Sequence, residues 1–159
     1  MVSGDKFSLE HVNQLMVSID QILAEAWMTM ADSPCILYTG ATLNTSKVIQ
    51  ASVTFSEEGN WQCLVMMPYA VAEYLSVSFY GEEEELDEEL VSESVGEFIN
   101  IIAGNLQGII EEHSYLSIPE VVVLNSMEEV NLQGVVRNYS TPTGHFLIAL
   151  NNLRQKSLI

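Results

Sequence analysis

Glu97 and Asn100 stand three residues apart in the stretch Gly96-Glu97-Phe98-Ile99-Asn100-Ile101-Ile102-Ala103-Gly104-Asn105. On a helix such residues are surface neighbours. The pair then offers a carboxylate, which only accepts, beside a neutral amide, which both donates and accepts. The spacing alone is not selective, because Glu10/Asn13, Glu57/Asn60 and Glu128/Asn131 repeat it. Two of those copies fall at turns, and Glu10/Asn13 lies near a helix start without glycines close by. Only Glu97/Asn100 sits mid-helix among glycines. Glu93 and Glu97, at i and i+4, read as neighbours on a solvated face rather than as a general acid and base. Cys35 and Cys63 sit in apolar, strand-like stretches and read as buried free thiols. His11, His113 and His145 are scattered, so spacing gives no metal site.

The element that must position the pair is a long helix from about Asp87 to His113. Wound at about 100° per residue, it gathers Val91, Val95, Phe98, Ile99, Ile102, Leu106, Ile109 and Ile110 on one side. Glu93, Glu97, Asn100, Gly104 and Glu111 gather on the other, flanked by Gly96 and Gly108. Each helical glycine costs about 1 kcal/mol relative to alanine. Packing inside the fold or its dimer is one reason for such a cost, but their place on the polar side favours close approach by a partner at Gly96, Gly104 and Gly108.

Residues 8–31 predict an amphipathic helix with Ser8 as N-cap, ended by Asp32-Ser33-Pro34. Cys35–Leu43, Lys47–Phe55 and Trp61–Met67 read as strands of an antiparallel meander. Pro68 opens a short helix over 69–80, and Gly81 closes it. The acidic run 82–89 reads as a solvated linker and first helical turn, with guidance of a partner as the sharper alternative. Glu120–Asn125, Asn131–Tyr139 and His145–Leu150 are the later strands. One long helix plus three strands thus occurs twice. The expected fold is a single α+β domain over 1–159, an antiparallel sheet covered by two long helices.

With 22 acidic against 5 basic residues, the formal charge is −17, which argues against nucleic acid and anionic membrane surfaces. No apolar run approaches the roughly 20 residues of a membrane span, and the N-terminus lacks signal-peptide regions, so a cytoplasmic chain is expected.

The string around Glu97 and Asn100 resembles the signature of the CheC/CheX/FliY chemotaxis phosphatases, closest to the CheX branch. The first helix, the Met67-Pro68-Tyr69-Ala70 turn, the acidic linker and Ile118-Pro119 fall where that family places such features. The resemblance implies hydrolysis of the phosphoaspartate of a CheY-like response regulator in two-component signalling. Asn100 would position the attacking water and Glu97 would pair with the regulator's lysine. Glu93, Gly96, Gly104 and Gly108 would line the docking face. Glu93 departs from the Asp or Ser that relatives often carry there. The resemblance implies no cofactor on this chain, Mg2+ in the partner regulator, and a homodimer. A non-catalytic binding module on the same fold is the alternative. The second motif common in CheC and FliY relatives is not expected here, Glu10/Asn13 being read as chance.

Overall fold

The computed structural model describes residues 9–39, 47–55, 61–81, 85–110, 115–125 and 134–152, with backbone alone at 9–12, 110 and 152. Helix α1 (Leu9–Ala31) ends where Asp32 turns to φ 50° and donates its N–H to the Met28 carbonyl. Helix α2 (Tyr69–Tyr80) begins behind Pro68, whose φ of −55° suits a helix start. It closes at Gly81, which takes φ 98° and donates its N–H to the Val77 carbonyl. Helix α3 (Glu88–Ile110) is capped by Asp87, whose carboxylate accepts the Leu90 N–H at 2.9 Å.

The strands are β1 (Ile36–Leu37), β2 (Val48–Phe55), β3 (Trp61–Pro68), β4 (Glu120–Leu124), β5 (Val135–Thr141) and β6 (Gly144–Asn152). They form one antiparallel sheet in the order β1-β5-β6-β3-β2-β4. The α+β fold and the two-fold repeat are as the sequence suggests, but the first meander is not. β1 pairs with β5 of the second repeat, and β4 pairs with β2 of the first, so the two repeats exchange their first strands. Turn residues mark where a chain bends, whereas strand neighbours are chosen by matching faces. β2 finds its match in β4, with Ile49 opposite Val123 and Ala51 opposite Val121.

The three helices among the described residues pack together, with α3 lying against β2, β3 and β4. Beneath them β2, β3 and β6 turn Ile49, Ala51, Val53, Phe55, Cys63, Val65, Met67, Phe146, Ile148 and Leu150 into the main core. Trp27 stacks on Phe146 at 5.2 Å between ring centres and meets Phe98 edge-on at 5.7 Å. The opposite sheet face buries Val48, Leu64, Met66, Leu147 and Ala149. The α3 core stripe holds from Val91 to Leu106, but Ile109, expected in it, is 41% exposed. The apolar periodicity there outlasts the surface available to bury it. Ile110's side chain, Ser8, Glu111, His113, residues 82–84 and the ends of two expected strands (40–43 and 131–133) lie outside the described residues. Both thiols are free and buried, and His145 stacks on Tyr38 at 4.0 Å. No helix among the described residues is long and apolar enough to cross a membrane.

Candidate functional site

Helix α3 buries one stripe against α1, α2 and the sheet, which leaves its opposite side in solvent. Glu89, Glu93, Glu97, Asn100, Gly104 and Gly108 are all exposed there. An open groove of about 550 Å³ runs along that side. It is lined by Tyr80, Glu89, Ser92, Glu93, Gly96, Glu97, Asn100, Pro119 and Val121. The structure thus brings Glu93, Gly96, Glu97 and Asn100 into one groove. Gly104 and Gly108 stand further along the helix, with no described residue within 4 Å of where a side chain would begin. Gly96 is different. It is buried, and a Cβ there would meet Val121 Cγ2 at 3.6 Å and Pro119 Cβ at 3.9 Å. Its small size lets the start of β4 lie beside α3 and become the second wall.

The third wall is Tyr80, the last residue of α2. Its hydroxyl donates to Glu93 Oε2 at 3.2 Å. A phenol is protonated at neutral pH and so donates there; desolvation, followed by that hydrogen bond and the charges of Glu93 and Glu97, raises this one further above its ordinary range. The two asparagines of the helix behave differently. Asn105 donates its amide to the Ile101 carbonyl at 2.8 Å. The exposed Asn100 amide makes no hydrogen bond to another described residue and faces the groove.

Tyr80, Glu89, Ser92 and Val121 were not expected in the site from the sequence. Tyr80 and Val121 come from other elements, and nothing in their local spacing points to α3. The Ile118-Pro119 step was visible, but not its place as a wall.

Helix α1 shares the register of α3 without sharing the pair. Its buried positions Leu15, Ile19, Leu23, Ala26, Trp27 and Met30 repeat the register of Val91, Val95, Ile99, Ile102, Ala103 and Leu106. In that register Gln21 and Ala24 occupy the places of Glu97 and Asn100. Glu10/Asn13 lies more than two turns earlier, at the helix start, and the Glu10 side chain lies outside the described residues.

The family model for chemotaxis phosphatase CheX matches residues 49–143, which take in the whole groove. The chain belongs to that family. Solved CheX structures share its fold. The chemotaxis protein CheX from Desulfovibrio desulfuricans superposes with a TM-score of 0.66 at 16% identity, over 87% of this chain and 98% of that one. The CheX–CheY–BeF3–Mg2+ complex from Borrelia burgdorferi gives 0.62 at 15% identity, over 86% and 97%. FliY from Thermotoga maritima gives 0.59 at 14%, over 91% and 94%. No curated protein matches the chain in sequence. CheX membership makes this a chain of a chemotaxis phosphatase family, and a CheX relative has been seen with CheY.

Proposed function

We propose that this chain hydrolyses the phosphoaspartate of a CheY-like response regulator, with Asn100 holding the attacking water and Glu97 docking on the regulator's lysine. One observation carries the reading: within a CheX-family fold, the Asn100 amide and the Glu97 carboxylate lie together in an open groove, and the amide faces that groove without a hydrogen bond to any described residue. An acyl phosphate is already activated, so its hydrolysis asks for a placed water more than for a strong base. The water oxygen attacks phosphorus in line and the bond from phosphorus to the aspartyl oxygen breaks. The water's proton ends on phosphate, and the carboxylate leaves unprotonated. An amide can orient that water much as a glutamine does in GTPases. The lysine and Mg2+ belong to the regulator. The Borrelia CheX complex with CheY, BeF3 and Mg2+ supports such a partner.

The test is phosphate release from CheY-type regulators of the source organism, charged with acetyl phosphate, with and without the chain. Wild type should accelerate release from at least one of them. Asn100→Ala should lose at least about a hundredfold in kcat while still binding the beryllofluoride-charged regulator. An Asn100→Ala variant at full activity sinks the assigned role. Binding with no acceleration by wild type would favour a non-catalytic module. The same reading carries a cytoplasmic setting and a homodimer. For the dimer, β4 supplies an edge strand with Val122 46% exposed. Sedimentation as a monomer at micromolar concentration removes the dimer.

A further inference from the structure

Two residues on different helices face each other across the groove because two buried residues behind them fix the helices. Ser76 of α2 and Ser94 of α3 are fully buried, and their hydroxyls are hydrogen-bonded to each other. The two hydroxyls hold two protons between them, so one joins the pair while the other goes to the Ala72 or Val91 carbonyl of its own helix. Tyr80 lies one turn beyond Ser76, and Glu93 directly precedes Ser94. The buried contact therefore sets the register in which the Tyr80 hydroxyl meets Glu93 Oε2 at 3.2 Å. Gly81 ends α2 at that point and fixes where the tyrosine stands.

Glu89, Glu93 and Glu97 follow one another at one-turn spacing along the groove. Like charges at this spacing repel. Left free, Glu93 would swing among rotamers, and a cation arriving from a partner would have to order it. The Tyr80 hydroxyl takes one oxygen of Glu93 and leaves the other open.

We propose, on the phosphatase reading above, that Tyr80 is a positioning residue that holds Glu93 beside Glu97, so that a cationic side chain of the regulator meets two carboxylates of which one is already ordered. Pre-ordering lowers the cost of docking and leaves the attack on phosphorus alone. Tyr80 therefore acts on KM and not on kcat.

The experiment compares wild type, Tyr80→Phe, Glu93→Gln and the double variant on the regulator that wild type dephosphorylates fastest. Each single variant should raise KM by about three- to tenfold and hold kcat within about twofold. The double variant should be no worse than Glu93→Gln, because the two residues act as one unit. A merely structural tyrosine would lower thermal stability and add its effect to that of Glu93→Gln. Unchanged KM in Tyr80→Phe, additive effects, or a fall in kcat alone overturns the inference and leaves the Asn100 result standing. If wild type accelerates release from no regulator, the phosphatase reading fails by itself. Tyr80 is then judged by the Kd for the beryllofluoride-charged regulator, and equal values for wild type and Tyr80→Phe overturn its role.

Discussion

Gly96 of α3 faces Val121 of β4 with room for one methyl group: a Cβ at position 96 would sit 3.6 Å from Val121 Cγ2, an ordinary contact. A small residue is needed there, yet glycine itself is not. Gly96→Ala should gain up to about 1 kcal/mol of helix stability, with the thermal midpoint unchanged or a few degrees higher. A larger side chain such as valine should push β4 outward and lower the midpoint. A fall in stability for the alanine variant in thermal melts would show that the α3–β4 contact is tighter than this.

Gly104 and Gly108 have open space where Gly96 has β4. Alanine at either should also stabilise the helix by about 1 kcal/mol. If the regulator docks against the bare helix there, as the family resemblance implies, the same variants should raise KM. A higher melting temperature together with a higher KM is the expected pairing. A higher melting temperature with unchanged KM would show that these glycines serve no docking.

Asp20 on α1 holds β5 through three donors. Arg137 Nη2 donates to Oδ2 at 2.6 Å, Arg137 Nε to Oδ1 at 3.2 Å and the Tyr139 hydroxyl to Oδ1 at 2.7 Å. The ion pair is half-buried, so removing one partner strands the others. Asp20→Ala should cost about 2–3 kcal/mol in urea unfolding. Asp20→Ala combined with Arg137→Met should cost less than the two singles summed. Strict additivity would show that the pair is not coupled.

Burial pushes the Cys63 thiol up to about 12. Burial and the nearby Asp20 charge push Cys35 up to about 11. Both folded-state values lie above the unfolded one, so the protonated thiols contribute their full stability below the ordinary thiol range. That stability drains away as pH rises from that range through about 11 and 12. Melting temperatures measured from neutral to alkaline pH should hold and then fall in that window. Cys63→Ala should start lower and fall less steeply.

Docking through carboxylates implies sensitivity to salt. The exposed Glu93 and Glu97 should lose their attraction for a cation once added salt shortens the screening length below about 10 Å. KM for the phosphorylated regulator should rise with ionic strength while kcat stays level. Glu97→Gln should flatten that dependence. A wild-type KM indifferent to salt would exclude electrostatic docking.

Local signals made much of the fold readable. The Pro68 start and Gly81 stop fixed α2 to the residue, since each depends only on the backbone of its own turn. The β2–β3 hairpin, with Val48 opposite Pro68 and Phe55 opposite Trp61, follows from adjacent strands and a short connection. The exchange of β1 and β4 was not readable, because it depends on which distant face each strand can match. The exposure of Ile109 was equally hidden, since periodicity says which way a residue points and not whether anything lies there.

The same division holds for the candidate site. The sequence by itself determined that Glu97 and Asn100 share the polar side of a long helix, because helical geometry depends on spacing alone. Only the tertiary structure decided that this side is a groove, because its walls come from elsewhere in the chain. Tyr80 arrives at the end of α2, while Pro119 and Val121 arrive with β4, brought in through the strand exchange and the small Gly96. Packing between segments distant in sequence set those contacts, and no local pattern encodes them.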